Sequence, residues 1–387
     1  MRLRPGLDLL WRAPGEVQIG TDPRWAVRLS GLSDVEVDVL TAAEPGATLE
    51  SLRASAARHG LAPERVEVLL RTLDEARVVC PIPPRPSSAG SATLLSGAVG
   101  DARAWSAVLE DGDGGAHVRA RSARSVGVAG LGRLGLQIAV VLAAAGVGTV
   151  LLQDDDLVTS ADLGVGGYLP RDVGSSRAEA AHRIVHDANA TVRTRAPARS
   201  EPDLLVLVEH GAADPARSRL SMAIGIPHLS VVVQEAGVLV GPLVVPGATP
   251  CLRCVDLWRA DVDERWGVVV AQLAARTRPH GPEESSLAAV AGSLAAAQAL
   301  AHLDGRVPTV RGAGLEVSLP EAVPRVRSWS VHPDCGCGAI PLPRRDDAPS
   351  EITPAEIAPA EITQSEMTPF EFTPPETASC VGDRGRA

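Results

Sequence analysis

One segment near the middle of the chain constrains the fold more than any other, an apolar strand that runs into a glycine-rich turn. The strand begins at Ser125, the turn reads Gly130-x-Gly132-x-x-Gly135, and a helical pattern follows through Ala145. This spacing permits a tight turn and close backbone approach, so that a phosphate can lie at the N-terminus of the helix. The sequence therefore predicts a Rossmann-like unit with a nucleotide site.

The next strand supports that interpretation. It covers residues 149–152 and leads into three aspartates, including Asp154 and Asp156. They follow the last glycine by about 20 residues, where an acidic side chain can accept hydrogen bonds from ribose hydroxyls. We therefore assign the three glycines and these two aspartates to a mononucleotide site. A turn of the same form that folds well and binds nothing is the alternative.

Four of the six cysteines form two close pairs, Cys251 with Cys254 and Cys335 with Cys337. Paired thiolates are typical of a tetrahedral zinc site, and four protein ligands leave no open position for catalysis. The ion would close a loop of about 80 residues and join the end of the sheet domain to its middle. The pattern predicts structural zinc in a reducing compartment, since six cysteines in a chain this long are too few for a disulfide scaffold.

The chain divides into four predicted segments. Residues 1–82 are predicted to form a small domain, with a β-hairpin or three-stranded sheet followed by three helices. We expect these helices to begin at Ser33, Thr48 and Pro63. That order suggests a winged helix. Residues 83–124 form a proline-rich linker with a short helix near 102–109, and residues 125–342 alternate strands and helices as a parallel α/β sheet does.

The last predicted segment, residues 343–387, repeats Glu every five residues with recurrent Thr and Pro. It carries nine acidic residues against four arginines. Frequent proline opposes helix and strand, so we expect a disordered acidic tail.

Composition excludes several functions. The net charge is −10 and lysine is absent, so nucleic acid is not the expected ligand and no role that needs a lysine amine is open. The N-terminus has no continuous apolar segment, and the apolar run at 134–152 is interrupted by Gly146 and Gly148. We expect a cytoplasmic protein that neither spans nor binds a membrane.

Taken in order, these motifs resemble the ThiF/MoeB/HesA superfamily, relatives of ubiquitin-activating enzymes. The resemblance rests on Val-Ala-Gly-Leu-Gly-Arg-Leu-Gly at 128–135, on the run to the aspartates at 154–156, and on Pro-Cys-Leu-Arg-Cys and His-Pro-Asp-Cys-Gly-Cys at 250–254 and 332–337. It implies a Rossmann-like α/β domain with zinc that binds ATP and Mg²⁺ and adenylates the C-terminal carboxylate of a small protein or peptide. Similar proteins often form homodimers.

The polar positions on which adenylation depends in similar enzymes are altered here. Asp162 stands at the position of an asparagine, and the arginine expected beside it is missing, although Arg171 lies nearby. Arg177 replaces a lysine, and His210 takes the place of the magnesium-binding aspartate. Magnesium prefers oxygen ligands, and a planar guanidinium does not replace an ammonium point charge. Arg171, Arg177 and His210 are therefore weak catalytic candidates, with Arg177 also a candidate for phosphate binding.

Residues 1–82 resemble the PqqD-like domains that bind leader segments of precursor peptides. The resemblance implies that a leader adds as a further strand to an exposed sheet edge. A domain that packs only on its neighbour is the alternative.

The favoured hypothesis is a ThiF-like protein that presents a precursor peptide or small carrier protein to a partner enzyme. Its rival is an active adenylyltransferase whose phosphate clamp is rebuilt from Arg171, Arg177 and the aspartates. A nicotinamide-dependent oxidoreductase follows from the glycine motif alone and is disfavoured by the four cysteines.

Overall fold

The computed structural model describes residues 1–23, 26–82, 98–195, 201–274 and 283–339. Two compact units make up the chain, residues 1–342 and 343–387, and the described residues all lie in the first. The predicted acidic tail lies outside the described residues.

The N-terminal part forms the predicted hairpin and three helices. Its elements are β1 (Arg2–Leu3), β2 (Leu9–Ala13), β3 (Glu16–Ile19), β4 (Val27–Leu29), α1 (Asp34–Thr41), α2 (Leu49–Arg58), α3 (Pro63–Glu75) and β5 (Val79–Cys80). Strands β2, β3 and β4 form an antiparallel sheet in that order, and β1 pairs with β5. One apolar core, which includes Val17, Ile19, Leu40 and Leu73, holds these elements together.

The predicted helix starts are confirmed. Ser33 forms a capping box with Glu36, Thr48 accepts from the backbone N–H of Ser51, and Pro63 opens α3. The first turn of a helix leaves backbone N–H groups without a partner. Ser33 and Thr48 accept a hydrogen bond from such a group, and Pro63 has no N–H to satisfy.

Residues 98–123 contain more structure than the predicted linker. Two helices, α4 (Ala98–Val108) and α5 (Gly114–Ala120), pack closely on each other, whereas the sequence indicated one short helix. At Gly114 an added Cβ would lie 2.0 Å from the carbonyl oxygen of Ala102, so only glycine allows this approach. Arg121 then forms a buried ion pair of 2.8 Å with Asp304. The segment is therefore part of the sheet domain's packing.

The large domain is built on a seven-stranded sheet. Its elements are β6 (Ser125–Ala129), α6 (Arg133–Ala144), β7 (Thr149–Gln153), α7 (Arg177–Ala188), β8 (Leu204–His210), α8 (Pro215–Ala223), β9 (His228–Val233), β10 (Gly237–Val244), α9 (Leu252–Ala260), α10 (Trp266–Ala274), α11 (Ser285–Leu303), β11 (Ala313–Ser318) and β12 (Arg325–Ser328). The strand order is β12-β11-β10-β9-β8-β6-β7.

The sheet is mixed, which corrects the expectation of a parallel one. Strands β7, β6, β8 and β9 are parallel, but β10, β11 and β12 pair antiparallel. Only residues 234–236 separate β9 from β10, and so short a connection forms a hairpin because a parallel crossover needs a dozen residues or more.

Helix α11 packs on α6 in the core of this domain. By length and composition it is apolar enough to cross a membrane, but Leu287, Ala291, Ala295 and Ala299 are buried within the protein. The alanines of α11 have small side chains, so the two helices pack with little side-chain volume between them. Small residues are expected in the core because the chain has few aromatic residues. The helix therefore serves as a core element of the sheet domain.

Candidate functional site

The predicted nucleotide site lies where the order of strands reverses. After β6 the chain adds β7 on one side and then returns to add β8 on the other. In open α/β sheets a ligand crevice forms outside the carboxyl ends of the strands at this point. The glycine turn, the aspartates and the end of β8 meet there.

Two of the three glycines are required by the turn itself. Gly130 has a φ of +90°, and an added Cβ would lie 2.3 Å from the carbonyl oxygen of Val208. At Gly135 the Cβ would lie 1.8 Å from the carbonyl oxygen of Gly130. At Gly132, by contrast, the nearest atom is Oε1 of Glu283, at 2.6 Å. The first and last glycines thus fix the backbone, whereas Gly132 makes room for a carboxylate.

Asp154 binds the glycine turn directly. Its Oδ2 accepts a hydrogen bond of 2.6 Å from the backbone N–H of Leu131, and its Oδ1 accepts one from the N–H of Asp156. The side chain of Asp154 is buried, while that of Asp156 is largely exposed. The structure therefore brings Asp154 to the turn, whereas the carboxylate of Asp156 contacts Arg177.

Arg177 is surrounded by carboxylates. Its Nη1 lies 3.4 Å from an oxygen of Asp154 and 3.4 Å from one of Asp156, and its Nη2 lies 2.8 Å from Oδ1 of Asp162. Burial lowers the pKa of Arg177, but the aspartates, Asp162 first among them, outweigh that effect and raise it. The guanidinium is a permanent cation whose donors are directed at the protein's own acids.

Tyr168 links the two sides of the site. It is the only tyrosine of the chain, and its hydroxyl lies 2.8 Å from the carbonyl oxygen of Leu131 and 3.1 Å from that of Arg177. Burial raises its pKa, so the hydroxyl stays protonated and can donate. Tyr168 fixes the glycine turn relative to the start of α7, a role that the sequence did not predict.

His210 lies within β8, whereas the sequence predicted a strand that ends before it. Its Nε2 lies 2.9 Å from Oε1 of Glu283. The other oxygen of Glu283 accepts from the backbone N–H of Leu134 in the first turn of α6. The carboxylate therefore lies at the N-terminus of α6, where the sequence predicted a phosphate.

Arg171 is not brought into the site by any described contact. Its side chain is 66% exposed, and its Nε lies 3.9 Å from Asp172. Arg133, which was not predicted, instead donates to the backbone oxygens of Glu283 and Leu163. Arg133 lies between Gly132 and Gly135 in the glycine motif. This place in the motif was the only feature of the sequence that could have pointed to a role for Arg133 in the site.

The four predicted cysteines form one cluster. Their Sγ atoms all lie within 4.8 Å of one another, with 3.8 Å between Cys251 and Cys254, 3.6 Å between Cys251 and Cys335, and 3.4 Å between Cys254 and Cys337. A tetrahedral zinc ion bound to sulfur at about 2.3 Å separates its ligands by about 3.8 Å. The cluster therefore fits a metal ion of this kind.

A polar group braces the cysteine cluster. His332 is buried, its Nε2 lies 3.0 Å from Oδ2 of Asp261, and its Nδ1 accepts from the backbone N–H of Asp334. Trp258 packs against the His332 ring, with centroids 4.7 Å apart. These contacts hold the turn that carries Cys335 and Cys337.

The ThiF family model matches residues 104–205, which include the glycine turn, both aspartates and Arg177. This segment is a ThiF-family domain. No curated protein sequence matches the chain.

Solved structures share the fold of this chain over most of its length. E. coli MccB with ATP is 17% identical, with a TM-score of 0.61, and the match covers 87% of this chain and 100% of that one. E. coli MccB with MccA-N7isoASN is 16% identical, with the same TM-score and coverage. PaaA is 15% identical, with a TM-score of 0.62 over 84% of this chain and 99% of its own. At these identities the likeness establishes the fold.

Proposed function

We propose that this protein binds a precursor peptide or small carrier protein and presents it to a modifying enzyme, without adenylating it. The observation that carries the proposal is the environment of Arg177, where three carboxylates face one guanidinium. The site retains the form of a nucleotide site and has lost the charge that turnover requires.

The charges around Arg177 oppose the binding and turnover of ATP. ATP brings several negative charges, and reaction at its phosphates depends on positioned cations and metal. Here the donors of Arg177 already bind Asp154, Asp156 and Asp162, so a triphosphate would meet acidic side chains at this point. His210 is a poor ligand for magnesium and is directed at Glu283. These contacts support nucleotide binding that is weak and turnover that is absent.

Support for a peptide ligand comes from the shared fold and from the small N-terminal sheet. MccB, which this chain resembles over 87% of its length, has been solved with MccA. In the small sheet β2 is an edge strand, and Trp11 on it is 62% exposed although it pairs with the buried Val17. An added peptide strand would cover Trp11 and use the free edge of β2. We place the leader of the precursor there, in a PqqD-like, winged-helix domain.

The proposal includes further elements. Zinc is the metal that suits four thiolates, and its role is structural. Reduced cysteines suit a cytoplasmic protein, and the described cysteines form no disulfide. A homodimer and a partner modifying enzyme complete the assembly.

The test is an assay of pyrophosphate exchange with the purified full-length chain, ATP, Mg²⁺ and a panel of candidate precursor peptides. We expect no exchange above the rate without peptide. Robust peptide-dependent exchange would overturn the non-catalytic proposal. Fluorescence anisotropy with the same labelled peptides is expected to show binding that weakens about tenfold in Trp11→Ala. The matched control is Val262→Ala, an exposed site on the sheet domain.

An active adenylyltransferase is the second candidate. It is favoured by the contact of Asp154 with the glycine turn and by the contacts of Arg177 with Asp154 and Asp156. This candidate predicts exchange in the wild type that Arg177→Ala abolishes. Exchange that persists in a folded Arg177→Ala variant would count against it.

A further inference from the structure

The carboxylate of Glu283 lies against the N-terminus of helix α6. Its Oε2 accepts a hydrogen bond of 2.5 Å from the N–H of Leu134, and its Oε1 lies 2.6 Å from the position that a Cβ of Gly132 would take. The Glu283 side chain is 6% exposed. No cap comes from Gly132, so a residue 149 positions from Leu134 supplies one.

This position is the one that a phosphate occupies in a glycine turn. The first N–H groups of a helix have no partner within it, and the peptide dipoles favour a negative charge there. A carboxylate supplies the same charge and the same acceptor oxygens as a phosphate. Glu283 therefore satisfies the anion requirement of the turn with an atom of the chain itself.

Several contacts hold Glu283 in place. His210 lies 2.9 Å from its Oε1, and Nη1 of Arg133 donates to its backbone oxygen over 2.6 Å and to Oγ of Ser285 over 3.0 Å. The next residue, Glu284, caps helix α11 through the N–H groups of Ser286 and Leu287. Both the side chain and the backbone of Glu283 are thus fixed, and its placement does not depend on a single bond.

We propose that Glu283 is the specificity-determining residue of the nucleotide site, a resident anion that occupies the phosphate subsite and excludes ligands that carry phosphate there. An incoming phosphate would compete for the N–H of Leu134 and meet a like charge at close range. A nucleoside without phosphate does not meet Glu283 in this subsite. The inference deepens the proposed function and rests on it, because it explains how a glycine turn persists without turnover.

The experiment is calorimetric titration of the full-length protein with ATP, AMP and adenosine, without magnesium. In wild type we expect the two nucleotides to bind no more tightly than adenosine. In Glu283→Ala and Glu283→Gln we expect AMP and ATP to bind about tenfold more tightly, with adenosine unchanged. Glu321→Gln, which removes an exposed carboxylate elsewhere, is expected to match the wild type. Equal gains for adenosine, or none for the nucleotides, would overturn the inference.

A second measurement guards against a variant that fails to fold. The glutamine variant keeps the size of the side chain and a hydrogen-bond acceptor, and its thermal midpoint is recorded beside the titration. A crystal of Glu283→Ala grown with inorganic phosphate should show the ion accepting from the N–H of Leu134. Its absence there, with phosphate present, counts against the inference.

The two proposals fail separately. Pyrophosphate exchange by the wild type overturns the non-catalytic function and leaves the titration result standing. A Glu283 variant with unchanged nucleotide affinity overturns the role of Glu283 and leaves peptide presentation standing.

Discussion

Arg177 donates a hydrogen bond from Nη2 to Oδ1 of Asp162 over 2.8 Å, and both side chains are more than nine-tenths buried. The pair joins the start of α7 to the loop that follows β7. Buried charges of this kind are costly to separate, because removal of one partner leaves the other without compensation.

Replacement of Arg177 by methionine tests this relationship. Three carboxylates, two of them buried, would then lack their shared cation, so we expect the free energy of unfolding to fall by about 3 kcal/mol. Urea denaturation of the full-length chain measures the change. In Arg53→Met the exposed pair with Glu67 is lost, and the unfolding midpoint should hardly move. Similar shifts in the two variants would contradict the structural role of Arg177.

Glu36 is expected to make the protein more sensitive to acid. Burial raises its pKa, but hydrogen bonds from Arg65 and Ser33 outweigh burial and lower the pKa below the ordinary value of 4.5. The folded state therefore binds the proton less readily than the unfolded chain, and this contribution is present above pH 4.5 and lost as the pH falls through the lowered pKa.

The Glu36→Gln variant checks this prediction. It should be less stable than the wild type at pH 7, and the difference should shrink as the pH falls below about 4.5. Thermal unfolding followed by circular dichroism between pH 3 and 7 gives both curves. A constant difference across that range would show that the carboxylate charge has no such role.

Glu209 is expected to affect the pH dependence of stability in the opposite direction to Glu36. Burial raises its pKa, Oε1 has no hydrogen-bond partner among the described residues, and Oε2 accepts only a bond of 3.1 Å from the N–H of Asp214. The folded state binds the proton more readily, so its contribution is greatest below the unfolded pKa and declines as the pH rises through the raised value. Glu209→Gln should therefore stabilise the protein at pH 8 and change little at pH 4. Denaturant titration at both values decides the matter, and destabilisation at pH 8 would refute the prediction.

Metal removal should weaken the sheet domain. Cys254 and Cys337 lie in segments far apart in sequence, and an ion between the thiolates would bind them together. We expect elemental analysis to find zinc in the purified protein, and a chelator to lower its thermal midpoint. Burial raises the pKa of Cys337 to about 11, so metal uptake should release protons and strengthen with pH.

The control for that experiment is Cys80, which is buried outside the cluster. Cys254→Ser should lose the metal and the chelator response, while Cys80→Ser should keep both. Retention of metal by the Cys254 variant would mean that the four cysteines are not its ligands.

Local features were well predicted from the sequence. Ser33, Thr48 and Pro63 begin helices because their side chains act within a few residues of the backbone that they cap. The glycine turn was predictable because its spacing is local, and at Gly135 an added Cβ would lie against the carbonyl oxygen of Gly130, although Gly130 also lies against Val208 of β8. The four-cysteine cluster could be predicted because the two cysteines of each pair are close in sequence.

The predictions that missed depended on contacts distant in sequence. The antiparallel pairing of β10 with β9 followed from the short connection at residues 234–236, and the sequence pattern did not show where these two strands end and begin. The second helix of residues 98–123 packs on α4 through Gly114, and nothing local marks that contact. Arg171 was a candidate for the phosphate clamp, but its side chain is 66% exposed and its ion-pair partner is the neighbouring Asp172.

By itself, the sequence determined a glycine turn followed by an acidic strand end, two cysteine pairs and an N-terminal hairpin with three helices, since these are set by neighbours along the chain. Only the tertiary structure decided which charged side chains contact one another and which backbone groups they bind. The carboxylate of Glu283 reaches the turn from 149 residues away, and Arg177 meets three aspartates from two separate loop positions. Hydrogen bonds and ion pairs act over a few ångströms of space whatever the sequence separation, so the residues present at the turn were predictable and their partners were not.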